Sequence, residues 1–407
     1  MNRIAVLENR ILEYAWGSRS FIPELTGTPS LTGTPSPAGR PQAELWMGSH
    51  PKAPSLVVIN NDRIPLPELI KNDPDNILGT SVSGKFSNQL PFLFKILAAA
   101  RPLSIQVHPH KGQAEEGFAR EEAMGIPLDA PHRNYRDKNH KPELFCAIKP
   151  TWTMKGFRRI EEIIRLMGVI EDSVQGLGID LLRDRPDSQG LTDLFRHLMD
   201  TDRDVQARIV NIAAACAEKH AASDPAFEWM TRLNREHPED MGVLSPLFLN
   251  LILLQSGEAL HIPAGELHAY LEGAGIELMA NSDNVLRGGL TPKHIDLPEL
   301  TSILNFSPGE TEVLRPEGKD ALEVFYPVFN EEFMLSAITL HKGDLYESPY
   351  KRSVEIMICI HGHGRIRAQE GEDVLEMPQG RSVIVPAAVT RYTIEGEATV
   401  YKASVPL

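Results

Sequence analysis

The sequence predicts a mainly β protein with a helical insert: two β-barrels plus an α-helical domain. Three observations carry this reading. Short apolar runs of strand length, Pro91 to Ala100 and Leu103 to Val107, are answered by further short runs from Leu247 onward. Between them, from about Arg158 to Asp240, apolar residues recur at helical spacing. From about Thr311 to Leu407 a second series of short segments is punctuated by Gly362, Gly364, Gly371 and Gly380.

Residues 1–155 are read as the first part of one barrel. Arg3 to Trp16 alternates loosely, and Pro, Gly, Ser and Thr then dominate as far as Pro41. There LTGTPS at Leu25 to Ser30 is repeated at Leu31 to Ser36, a duplicated surface loop, because structure-building repeats are longer and need several copies to bury a core. Residues 156–245 form the helical insert: Ile160, Ile163, Ile164 and Met167 share one face, as do Leu191, Leu194, Phe195 and Leu198, and Val205, Ile209, Ile212 and Cys216. Residues 246–305 complete the barrel with strands at Leu247 to Leu254, Leu260 to Ile262, His268 to Leu271 and Ile276 to Met279. Residues 306–407 make the second barrel.

A chain of 407 residues, 42% of them hydrophobic, is long enough for two or three cored domains. Its 55 Asp and Glu against 41 Lys and Arg give a net charge of -14, which opposes general binding to nucleic acid or anionic lipid. Cationic groups that hold an anionic ligand must therefore gather in one cleft. Cys146, Cys216 and Cys359 lie far apart with no CxxC, which fits neither a disulfide framework nor a thiolate metal site. No signal pattern opens the chain and no apolar run reaches a membrane span, so a cytoplasmic location is expected.

Gly257, Pro263, Gly265 and His268 fit the spacing G-x5-P-x-G-x2-H. Gly and Pro make a sharp turn between strands, and the next strand points His268 inward. The spacing resembles the second motif of the cupins, jelly-roll barrels that hold a metal inside. Their remaining ligands come from an earlier strand, where this chain has Gln106-Val107-His108; residues two apart on a strand share a face. Glu143, in Asn139-His140-Lys141-Pro142-Glu143, can close a four-ligand set with open positions. Nitrogen and oxygen ligands without thiolate suit Zn2+, one per chain, with manganese and iron as alternatives. His140 is read as a loop histidine that holds the turn by hydrogen bonds.

The stretches AELWMGSHPKAPS from Ala43, LPFLFKILAAARPLSIQVHPHK from Leu90, DKNHKPEL from Asp137 and HAYLEGAGIELMANSDNVLRGGLTPKHID from His268 closely resemble the type I phosphomannose isomerases. The resemblance implies zinc ligands at Gln106, His108, Glu143 and His268, and a catalytic arginine at Arg287 in SDNVLRGG. It departs from the family at His110, Leu267 and Gly288, none of which is a proposed ligand. It further implies a sugar-phosphate substrate, mannose 6-phosphate and fructose 6-phosphate interconverted through a cis-enediol.

For that chemistry a metal polarises a substrate oxygen and Arg287 stabilises the enediolate. Three bases remain open: Glu277, Lys141, and a water acidified by the metal. Ser104, Lys95 and Lys293 are candidates for the phosphate, although a protein carboxylate such as Glu44 would equally serve as counter-charge for Lys95. Gly380, Pro386, Ala388 and Arg391 repeat the second motif with the histidine replaced, so the second barrel is expected to hold no metal. His361 and His363 are placed in a solvent-facing hairpin turn. An iron oxygenase, a sugar-binding storage protein and a metal-free epimerase are the competing readings. A monomer or weak homo-oligomer is expected.

Overall fold

The computed structural model describes residues 1–27, 39–318, 321–370 and 374–407; the tandem hexapeptide lies, from Thr28 on, outside them. Two antiparallel sheets flank a shared core, and the helical insert covers the first sheet from outside. The first sheet contains Phe92–Ala99, Ile105–Val107, Glu143–Phe157, Leu249–Leu254, Ala259–Ile262, His268–Ala280 and Leu286–Gly289, with Glu44–Gly48 and Arg10–Leu12 at one edge. The second centres on Met334–Leu340, Glu355–Ala368, Ser382–Val385 and Tyr392–Ser404.

Three differences from the sequence reading have physical causes. Ala5–Glu8, Leu56–Ile59 and Asp62–Pro65 join the second sheet, with Ala5 opposite Ile384, so residues 1–155 do not all serve the first barrel. These strands cover what would be the open edge at Ser382–Val385, and Ala5 and Leu7 enter the core between the sheets. His268 to Ala280 is one strand rather than two. Gly273, at φ 137, and three register shifts between Tyr270 and Gly275 break the apolar pattern but leave the pairing continuous. His361 and His363 lie inside Glu355–Ala368 rather than in a hairpin turn, at a bulge beside Gly362; both are exposed.

The insert is built as expected, with helices Ile160–Glu171, Ile179–Asp184, Ser188–Asp200, Arg203–His220 and Pro225–Glu236. Asp187, Asp202 and Asp224 cap three of them by accepting N–H groups of the first turn. Among the described residues no helix is long and apolar enough to cross a membrane.

Strand periodicity positions the site. Phe92, Phe94, Ile96 and Ala98 point into the core between the sheets, each large apolar side chain contributing about 1.5–3 kcal/mol on burial. Leu93, Lys95 and Leu97 must then face the barrel interior. Ile105, Val107, Ala269, Leu271 and Leu286 pack into the helical core. Gln106, His268, Tyr270 and Arg287 are consequently turned inward by the same alternation.

Candidate active site

Register sets three inward side chains side by side. Gln106 stands opposite His268 on one flank and opposite Arg287 on the other. Directly opposed residues of antiparallel strands point to one face. Glu143 opens its strand opposite both Ile262 and Met279, which brings its carboxylate to the same chamber. His108, just past Ile105–Val107, completes the group: one ligand atom each of His108, Glu143 and His268 lies within 4.8 Å of the others, all three residues buried.

Hydrogen bonds fix both imidazole tautomers. His108 Nδ1 donates to the Asn284 carbonyl at 2.7 Å, and His268 Nδ1 donates to the Glu266 carbonyl at 3.0 Å. A carbonyl can only accept, so in the neutral ring the lone pair is on Nε2. Those lone pairs face acceptors: His108 Nε2 is 3.2 Å from Glu143 Oε1, and His268 Nε2 is 3.4 Å from Glu143 Oε2. His108 Nε2 is buried with no hydrogen-bond partner among the described residues. Burial first, and then the Lys141 charge, pushes His108 down to about 4, so the ring is neutral near pH 7. Burial works against ionisation of Glu143, but Lys141, with Nζ 2.6 Å from Oε1, outweighs it and holds the carboxyl well below the usual range.

Two imidazole Nε2 atoms converging on a carboxylate are the donor set of a divalent cation. Two atoms at about 2.0–2.1 Å from one tetrahedral zinc would be about 3.4 Å apart, which matches these separations. Gln106 gives its amide N–H to Ser104 Oγ at 3.2 Å, which leaves its carbonyl oxygen for the chamber it lines with Glu143 and His268. The residues present fit the ion.

The chamber, about 60 Å³, opens through shared walls into a cleft of about 560 Å³. Lys141 and Glu277 are buried here, so neither is a surface residue. Lys95 finds its counter-charge within the protein, at Glu277 (2.7 Å) and Glu44 (3.7 Å); of the two partners the sequence offered, carboxylate rather than ligand anion is found. Burial lowers the Lys95 ammonium, but Glu277 and Glu44 more than reverse that and keep it charged. Burial raises the Glu277 carboxyl above its ordinary value against the pull of Lys95.

Arg287 and Lys293 line the open cleft with Ser104, and among the described residues neither has an ion pair. Burial lowers both; nearby Arg136 lowers Arg287 further, and Arg287 and Arg136 lower Lys293. Unpaired cations crowded together in an acidic protein are arranged for an anion. His140 does hold its loop by a hydrogen bond, but to Glu332, in the turn just before Met334–Leu340 of the second sheet, at 2.6 Å. Arg391, where the second motif would have a ligand, instead meets Glu347 at 3.0 Å and Tyr350 at 3.1 Å.

The sequence reading missed the clamp that aligns the two ligand-bearing loops. Asn284, fully buried, donates to the Asp137 and Asn139 carbonyls at 2.8 Å each, accepts from Arg136 N at 2.7 Å, and offers its own carbonyl to His108. Asp137 answers by accepting from Ser282 Oγ and Asp283 N. No spacing reveals this, because the partners are about 145 residues apart along the chain.

Three family profiles match the chain in order: "Phosphomannose isomerase type I, catalytic domain" over residues 4–160, "Phosphomannose isomerase type I, helical insertion domain" over 171–249, and "Mannose-6-phosphate isomerase, cupin domain" over 323–405. The mannose-6-phosphate isomerase of Escherichia coli (strain K12) is 39% identical over 96% of each chain. That of Homo sapiens is 34% identical over 76% of this chain and 75% of its own. A crystal structure of a mutant phosphomannose isomerase from Salmonella typhimurium superposes with a TM-score of 0.91 at 34% identity, covering 99% of this chain and all of the other. A zinc-bound mannose 6-phosphate isomerase structure gives 0.90 at 35% identity, covering 99% of this chain and all of that one. The matches run through both sheets and the insert, and the chain belongs to the type I phosphomannose isomerase family.

Proposed function

We propose that this chain is a zinc-dependent aldose-ketose isomerase that interconverts mannose 6-phosphate and fructose 6-phosphate through a cis-enediol in the cytoplasm. The observation that carries the reading is the pair of Nε2 atoms of His108 and His268 set against the Glu143 carboxylate, with a cation-lined cleft above them. Its family supplies the substrate, and its three cysteines, all free and buried, suit a reducing compartment.

His108, Glu143, His268 and Gln106 would hold the zinc. When bound, the ion supplies Lewis-acid polarisation of a substrate oxygen without any redox change. The protein's own groups account for the rest. Arg287, inward beside Gln106, donates charged hydrogen bonds to the oxygen on which negative charge develops. Glu277 takes the proton from C2 and returns it at C1; burial raises its proton affinity, and the Lys95 ammonium holds the carboxyl in place. Lys141 stays paired with Glu143, which favours a role in holding that ligand and the substrate hydroxyls over one as the base. Lys293 and Ser104 face the phosphate, and the Lys95 pairing argues against a direct contact there.

Metal analysis of the purified protein with a coupled assay for fructose 6-phosphate tests the reading. One zinc per chain, and turnover that is lost on chelation and restored by zinc, is expected. A metal-free protein with full turnover would overturn it. Iron with oxygen consumption, or sugar binding with no conversion, would replace it with another activity.

A further inference from the structure

The loop that carries Arg287 and Lys293 is held by a residue outside the barrel. Asp240 ends the helical insert, and its carboxylate accepts three backbone N–H groups: Gly242 at 2.7 Å and Leu290 at 2.9 Å on Oδ1, and Thr291 at 2.9 Å on Oδ2. The first is an ordinary cap on the short helix Met241–Leu244. The other two reach 50 and 51 residues along the chain into the wall of the cleft.

Two further features hold the same loop. Leu290 stands at φ 54, a left-handed conformation that a bulky side chain adopts only where its surroundings impose it. Backbone also meets backbone: a Cβ on Gly242 would come 2.7 Å from Leu290 N, and one on Gly289 would come 2.9 Å from Gly242 Cα. No side chain separates the insert from the loop, so the position of one sets that of the other. The same end of the insert contributes Glu236 and His237 to the cleft, and Glu236 pairs with Arg101 across its mouth at 3.6 Å.

We propose that Asp240 is a positioning residue through which the helical insert sets Arg287 and Lys293 against the metal chamber before substrate arrives. Arg287 lies three residues before Leu290, and Lys293 three residues after it. Among the described residues neither has a counter-charge that could hold its side chain, so the loop backbone is what orients them. The two cations repel each other, and an unpinned loop would let them separate. The inference rests on the isomerase reading.

The test compares Asp240→Ala and Asp240→Asn with Asp187→Ala, which removes a helix cap elsewhere in the insert. Zinc content, melting temperature, kcat and KM are measured for each. Asp240→Ala is expected to keep one zinc per chain while kcat falls at least ~10-fold and KM for mannose 6-phosphate rises several-fold. Asp240→Asn keeps the oxygen that serves Gly242 and Leu290 and is expected to fall between it and the wild type. Asp187→Ala should lower the melting temperature with kcat and KM unaltered. Unchanged kcat and KM in Asp240→Ala, or in a folded Asp240→Asn should the alanine variant not fold, would overturn the proposal. Loss of zinc in step with activity would do so too, by making Asp240 a residue of the scaffold. A wild-type protein without isomerase activity would instead sink the function on which it rests.

Discussion

The two barrels carry the same acidic frame and neutralise it differently. Glu143 opens its long strand opposite Ile262, the last residue of the strand before the second motif's turn; Glu355 opens its strand opposite Val385 in the equivalent place. Glu44 and Glu323 correspond in the same way, each two residues from the position facing Lys95 or Ser336. The difference lies between them. The first sheet pairs Glu277 with Lys95, whereas the second places Lys402 opposite Ser336. The Lys402 ammonium then lies 2.5 Å from Glu323, 3.5 Å from Glu355 and 3.3 Å from the Tyr346 hydroxyl.

A buried carboxylate needs a cation, and a lysine on the neighbouring strand provides one permanently. The second barrel has that lysine at its centre. In the first, Lys141 and Lys95 hold Glu143, Glu277 and Glu44 from the sides, and the histidine pair is left facing the carboxylate with a chamber above it. The comparison teaches that the shared fold does not itself fix what neutralises the frame: the first barrel gathers His108, Glu143 and His268, a group able to hold a cation, whereas the second sets a protein ammonium among its carboxylates.

The sharpest way to break this comparison is His268→Ala. It should remove zinc and turnover together, read by metal analysis and the fructose 6-phosphate assay; a variant with full zinc would contradict the ligand set. Arg287→Ala should come next, keeping zinc while turnover drops ~100-fold, as when one preorganised donor to a transition-state charge is lost. Unchanged turnover would remove Arg287 from the chemistry.

The grouping of the candidate ligands was legible because the local rules are strong: a Gly-Pro turn at a set spacing before His268, and two inward residues, Gln106 and His108, around one outward Val107. Glu143 followed from the loop beside it. What the sequence hid were relations between remote segments. Whether Lys95 met an anion or a carboxylate depended on Glu277, 182 residues away, and the Asn284 clamp depended on backbone carbonyls that any residue supplies. Ala5–Glu8 alternates as any half-buried strand does, so nothing local told which sheet it would join. Nothing local marks Lys402 as buried either; its partners Glu323 and Glu355 come from other strands.

Lys402→Met tests the substitution of lysine for metal through stability. Removing the ammonium leaves half-buried Glu323 without its cation and buried Glu355 with Arg352, at 3.4 Å, as its remaining one, at a cost of about 3 kcal/mol in denaturant unfolding. Turnover per folded molecule should not change. Lys95→Met, at the edge of the working chamber, should lower both. Burial opposes the Lys402 charge, but Glu355 and Glu323 outweigh it and raise its pKa. A group raised on folding contributes fully below its unfolded value, about 10.4 for lysine, and loses the contribution only as pH climbs through the folded value. The gap between wild type and Lys402→Met should therefore stay level from about pH 6 to 9. A gap that closes within that range would mean the ammonium is not what holds the two carboxylates.

The smallest effect is expected at Arg391, which occupies the motif position of His268. Its guanidinium reaches an exposed Glu347 and lies over the Tyr350 ring at 4.2 Å. An exposed pair of this kind is worth about 0–1 kcal/mol, so Arg391→Ala should shift stability by no more than that and leave zinc stoichiometry and turnover unaltered. Arg391→His goes further, since it restores the motif's residue type without vacating the cation position that Lys402 fills. If lysine occupancy is what separates the barrels, this variant still binds one zinc per chain, and only removal of Lys402 as well would give a second ion a place to bind. A second zinc bound by Arg391→His alone would show that the motif residue, and not the buried ammonium, decides which barrel holds metal.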